Sequence, residues 1–113
     1  MYIIIDNKKY SVIVMDTFMK RLRGLMFKNE KIKDIYMFPR CNSIHTFYMK
    51  QDIDVCILDK NYVITHISRG LSRGKVLIKK GYHTLELPLG STRSLSVGDK
   101  LCLKKKNKAH VVL

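Results

Sequence analysis

Apolar and polar residues follow two rhythms along this chain, and the change from one to the other predicts its elements. Residues 2–6 and 10–15 are short β-branched runs separated by Asn7, Lys8 and Lys9, the signature of a β-hairpin. Asp16 and Thr17 then offer a helix N-cap, because a short side-chain oxygen can accept a bond from a free N–H of the first turn. Phe18, Leu22, Leu25 and Met26 follow at helical spacing, with Lys20, Arg21 and Arg23 on the other side. One helix is expected near residues 17–27.

Beyond residue 30 the period becomes two. Ile35–Phe38, Ile44–Met49, Asp54–Leu58 and Tyr62–Ser68 are short runs rich in β-branched and aromatic residues, with Asp59, Lys60 and Asn61 as a hairpin turn between the last two. Val55, Cys56, Ile57 and Leu58 are apolar at every position, which predicts a strand covered on both faces. Val76–Lys79, His83–Leu87 and Lys100–Lys104 continue the series, punctuated by Gly70, Gly74, Gly81, Pro88-Leu89-Gly90 and Gly98-Asp99. His110, Val111 and Val112 suggest an end strand. The pattern predicts a mainly β (α+β) fold: a small curled antiparallel sheet or barrel with one helix near residues 17–27.

Composition narrows the class. At 113 residues the chain fits a single domain, 1–113, and 46% hydrophobic with 27% charged residues is an ordinary globular mixture. The start, Met1-Tyr2-Ile3-Ile4-Ile5-Asp6, is not that of a signal peptide, and no apolar run approaches the length of about 18 residues needed to cross a bilayer. Cys41, Cys56 and Cys102 are odd in number and widely spaced, so reduced thiols in the cytoplasm are expected. The formal charge of +13 leaves two readings open. One is a polyanion partner such as nucleic acid. The other is a lysine-rich composition with solvated cations on every face.

Several blocks then occur in a familiar order. Thr17-x-x-x-Arg21-x-x-Gly24-Leu25-Met26-Phe27 resembles the opening motif of the DUF 192 family, a bacterial and archaeal group without an agreed activity. Residues 39–50, from Pro39-Arg40-Cys41 through His45-Thr46-Phe47 to Lys50, resemble its second motif, which Ile53-Asp54-Val55 and Leu58-Asp59-Lys60 continue. Leu85-Glu86-Leu87-Pro88, Gly90 and Val97-Gly98-Asp99 resemble its closing block. The chain departs at Asp52, where that motif usually carries proline. The resemblance implies a compact, mostly β domain and names no chemistry.

Each candidate constellation has a plainer rival. Gly70-Leu71-Ser72-Arg73-Gly74-Lys75 misses the phosphate-loop spacing by one place and ends in Val76, so a basic surface turn is the better account. Cys41, His45 and Met49 are soft-metal ligand types, but on a strand His45 and Met49 would lie about 13 Å apart, too far for one ion. No metal or cofactor is expected. Cys41 with His45, oriented by Asp54 and activated by Arg40, would make a nucleophilic centre whose geometry nothing in the sequence fixes. Asp54 and Glu86 are acids flanked by apolar residues, and the expected use is structural: an ion pair, for example with Arg21, or bonds to turn backbone. Met19, Met26, Met37 and Met49 with Phe47 and Tyr48 could line an adaptable groove or simply fill the core.

The reading favoured by these residues is a non-enzymatic binding or accessory module. Its groove, near residues 40–54, would be lined by Arg40, Cys41, His45, Thr46, Phe47, Met49 and Asp54 and would take a peptide, a protein segment or a small ligand. The alternatives are a non-specific nucleic-acid or polyanion binder and a small Cys/His hydrolase or transferase. No membrane insertion is expected.

Overall fold

The computed structural model describes residues 1–16, 31–41, 43–45, 52–72, 76–79 and 81–105. Eight strands run through them: β1 (Tyr2–Ile5), β2 (Lys8–Val14), β3 (Ile35–Phe38), β4 (Ser43–His45), β5 (Ile53–Leu58), β6 (Ile64–Leu71), β7 (Val76–Ile78) and β8 (His83–Leu87). Six of them form one sheet in the order β1-β2-β3-β8-β5-β6, while β4 and β7 form a separate two-stranded ribbon. No helix occurs among the described residues, and the helix expected at 17–27 lies outside them.

Two features of the expected sheet need correcting. It is mixed rather than antiparallel, because β2 pairs with β3 in parallel, Val12 opposite Ile35 and Val14 opposite Met37. A parallel pair needs a long connection, and 20 residues of chain separate the end of β2 at Val14 from the start of β3 at Ile35. Nor does the sheet close into a barrel. Strands β1 and β6 remain at opposite edges, joined by a strap at residues 98–104 in place of the expected strand Lys100–Lys104. The strap bonds to one edge where Gly98 N–H donates to the Ile64 carbonyl at 2.8 Å and Leu101 N–H to that of Tyr62 at 3.0 Å. It reaches the other edge where Lys104 and Tyr2 exchange two bonds of 2.8 Å.

Local sequence explains the turns. Asp6 and Asn7, with φ of 53° and 62°, form the two-residue primed turn that joins β1 to β2 with the right twist. The Asp59 carboxylate accepts from Asn61 N–H at 2.8 Å and Val63 N–H at 3.0 Å, closing the β5–β6 turn where expected. Gly81 sits so close to the sheet that a Cβ there would meet Ile57 Cγ2 at 2.1 Å.

Burial follows strand position. Strands β3, β8 and β5, which adjoin one another inside the sheet, are buried at every residue, as the unbroken apolar run 55–58 predicts for β5, whereas β1 and β2 alternate. One face gathers Ile35, Met37, Cys56, Leu58, Leu85 and Leu87 with residues of β1 and β2. The second face gathers Tyr36, Phe38, Ile53, Val55 and Ile57 with Met15 and Ile32. Each fully buried Leu or Ile contributes about 1.5–3 kcal/mol, so this double-sided packing dominates stability. No helix of the described residues is long and apolar enough to cross a membrane.

Candidate functional site

Three of the seven residues nominated from the sequence have described side chains, and they do not share one place. Strand β4 carries His45, backbone-paired with Val76 of β7; Thr46, Phe47 and Met49 lie outside the described residues. Cys41 and Leu77 pack against the second face of the main sheet, which sets the segment leading into β4 and the β7 strand over that face. Arg40 turns the corner between β3 and this segment with a φ of 54°.

Asp54 lies elsewhere. By alternation along β5 it faces the opposite side from Val55 and Ile57. Cys41 is anchored at the far end of the strand, its carbonyl accepting from the Thr84 hydroxyl, and Thr84 stands opposite Ile57. Three residues of strand separate Asp54 from Ile57, about 10 Å. The carboxylate is fully used: Oδ1 accepts from Gly70 N–H at 2.9 Å, and Oδ2 from Gly90 N–H at 3.1 Å, Thr92 N–H at 3.2 Å and the Thr92 hydroxyl at 2.7 Å. Gly70 and Gly90 adopt positive φ, 67° and 83°, to bring their N–H groups to it. Of the structural uses expected for this acid, the bond to turn backbone is the one found. The Gly70 N–H that a phosphate loop would present to its ligand is thereby occupied.

Arg40 N–H donates to His83 Nδ1 at 3.3 Å, which places the proton of the neutral ring on Nε2. His83 is buried, stacked on Tyr62 at 5.0 Å and met edge-on by Tyr82 at 4.6 Å. Burial, reinforced by the Arg40 charge, holds its pKa below the ordinary 6.5. The sequence reading passed over His83 and Thr84, although the signal was present: a polar pair inside an apolar strand, as at His45-Thr46.

Glu86 is the most unusual group among the described residues. It lies in β8 between Tyr36 of β3 and Val55 of β5, on the second face, and is only 4% exposed. Its Oε2 is buried and has no hydrogen-bond partner among the described residues. Burial pushes its pKa from an ordinary 4.5 up to about 8, so at neutral pH it is mostly a neutral carboxylic acid, able to donate as well as accept. Cys56, on the other face, is pushed up to about 12, first by burial and then by the nearby Asp54 charge, which leaves an inert thiol. No disulfide links Cys41, Cys56 and Cys102. Among the described residues no group of three His, Cys, Asp or Glu side chains could hold a metal ion.

The model of DUF192, described as an uncharacterized family, matches residues 1–103. A UPF0127 protein of Pyrococcus horikoshii is 35% identical over 98 residues, covering 80% of this chain and 84% of its own length. A UPF0127 protein of Thermococcus kodakarensis is 38% identical over 88 residues, 73% of this chain and 56% of its own. The crystal structure of a protein of unknown function from Novosphingobium aromaticivorans superposes with a TM-score of 0.75 at 16% identity, over 90% of this chain and 82% of that one. That likeness is one of fold.

Proposed function

The chain belongs to the DUF192 family, whose description carries no activity, and we propose from its site that it is a non-enzymatic binding module. It holds a peptide or small ligand on the second face of the sheet, beside Cys41 and Leu77, with Glu86 as the polar contact. One observation carries this reading: among the described residues the buried Oε2 of Glu86 has no hydrogen-bond partner. Leaving a buried polar atom unpaired costs about 1–3 kcal/mol, and such groups persist where something other than stability retains them. A neutral acid set among Tyr36, Phe38 and Val55 suits a neutral amide, which can accept from its O–H and donate to its carbonyl.

A nucleophilic enzyme at Cys41 is the weaker reading. It needs Asp54 beside the Cys41–His45 pair, and every bond Asp54 makes among the described residues goes to the turns at Gly70, Gly90 and Thr92.

The test pairs stability with binding. A nuclear magnetic resonance screen of neutral peptide amides should give ligands that shift signals of Tyr36, Cys41 and Val55. Glu86→Leu should weaken their binding at least about tenfold while unfolding no more easily than the native chain, because it removes an unsatisfied group from an apolar wall. A variant that is clearly destabilised yet binds every hit normally would make Glu86 part of the scaffold and end this reading.

A further inference from the structure

Basic residues that look dispersed along the sequence converge at one cleft. It measures about 710 Å³ and is walled by three segments distant in the chain: residues 8–11 of β2, residues 31–34 ahead of β3, and residues 88–91 with Arg93 after β8. Five of its lining residues are basic, Lys8, Lys9, Lys31, Lys33 and Arg93, against one acidic residue, Asp34. Among the described residues none of the five is ion-paired, with Asp34 or with any other carboxylate. Lys8 and Lys9 lie over aromatic rings instead, at 5.2 Å from Tyr10 and 4.1 Å from Tyr2. Like charges gathered in a concavity repel one another and focus a positive potential there, which an incoming anion relieves.

The third wall is held from behind. Asp54 accepts from Gly90 and Thr92 N–H, and the Arg69 guanidinium donates to the carbonyls of Thr92 at 3.2 Å and Leu95 at 2.6 Å. Gly90 turns with a φ of 83°, and the Arg93 guanidinium folds over it, 3.6 Å from where a Cβ would stand. Ser91 adds a buried hydroxyl that has no partner among the described residues. Asp54 thus acts as a positioning residue for a wall it does not itself line.

We propose that this cleft binds a small ligand carrying two or three linked phosphates. The surplus of four positive charges matches a triphosphate chain, and an arginine fork with lysine point charges is the usual means of holding one. The volume suits a ligand of nucleotide size. A nucleic-acid backbone is instead met by a stripe of cations along a surface. Leu89, 52% exposed, offers an apolar rim for an organic group attached to the phosphates.

Calorimetric titration of the full chain with inorganic tripolyphosphate tests the proposal, at roughly 50 mM salt, where phosphate contacts are strong. The native chain should show one saturable site. Lys31→Gln with Lys33→Gln, and separately Arg93→Gln, should weaken it at least about tenfold, whereas removing the same charge at Lys104 and Lys105 should change it less than about twofold. Absence of saturable binding overturns the proposal, and so does equal weakening by the Lys104/Lys105 control, which would reduce the effect to net charge. A nucleoside triphosphate that competes with tripolyphosphate supports the cleft. A single-stranded oligonucleotide that binds more tightly and ignores the cleft substitutions refutes it in favour of a nucleic-acid surface. Circular dichroism of each variant confirms that the fold is kept.

Discussion

Asp54 and Glu86 are both buried carboxyls in two adjacent, fully buried strands of one sheet, and their surroundings could hardly differ more. Asp54, 1% exposed, receives three backbone N–H groups and a hydroxyl. Glu86, 4% exposed, has a buried oxygen that receives nothing. The two project to opposite faces, because Asp54 stands opposite Leu87 while Glu86 stands opposite Val55. Burial alone therefore does not say what an acid is for. An acid whose lone pairs are filled by turn backbone fixes loops in place. One kept neutral and unpaired in an apolar wall has hydrogen-bonding capacity left for something else.

Asp54→Ala should cost about 4 kcal/mol in urea denaturation, since it strands several buried donors at once. A loss below about 1 kcal/mol would mean that water replaces the carboxylate and that the loops hold themselves.

Glu86 should reveal itself through pH. Its folded pKa is raised, so between 4.5 and about 8 the unfolded chain releases a proton that the folded chain retains. The stabilisation is complete below 4.5, and stability then falls by about 1.4 kcal/mol per pH unit until the folded group ionises near 8. Glu86→Gln should flatten this slope, and an unchanged slope would locate the titration elsewhere. At pH 7, Glu86→Leu should gain about 1 kcal/mol, the reverse of the change at Asp54.

The smallest expected effect sharpens the pH profile from the other side. His83 is held below 6.5 by burial and by Arg40, so the unfolded chain binds a proton that the folded ring refuses. Stability is full above 6.5 and lost as pH falls below it, opposite in sign to Glu86. His83→Gln should remove that acid-side loss in thermal melts across pH 5–7, and a profile identical to the native chain would assign it to another group, such as His66.

Local features were legible in the residues alone. Alternation located strands at Ile35–Phe38 and His83–Leu87, the run at 55–58 announced a strand buried on both sides, and Asp59 marked its turn. These depend on neighbours two to four residues away, which periodicity and turn chemistry record. The motif order also pointed to the family that the comparisons show. Strand order, the parallel pairing of β2 with β3 and the failure to close a barrel were decided only in three dimensions. So were the roles of the charged groups. The partners of Asp54 lie 16, 36 and 38 residues away, and the cleft joins segments from opposite ends of the chain. A hydrogen bond or a cluster of charges depends on which loops end at the same corner of the sheet, and alternation along a strand carries no information about that.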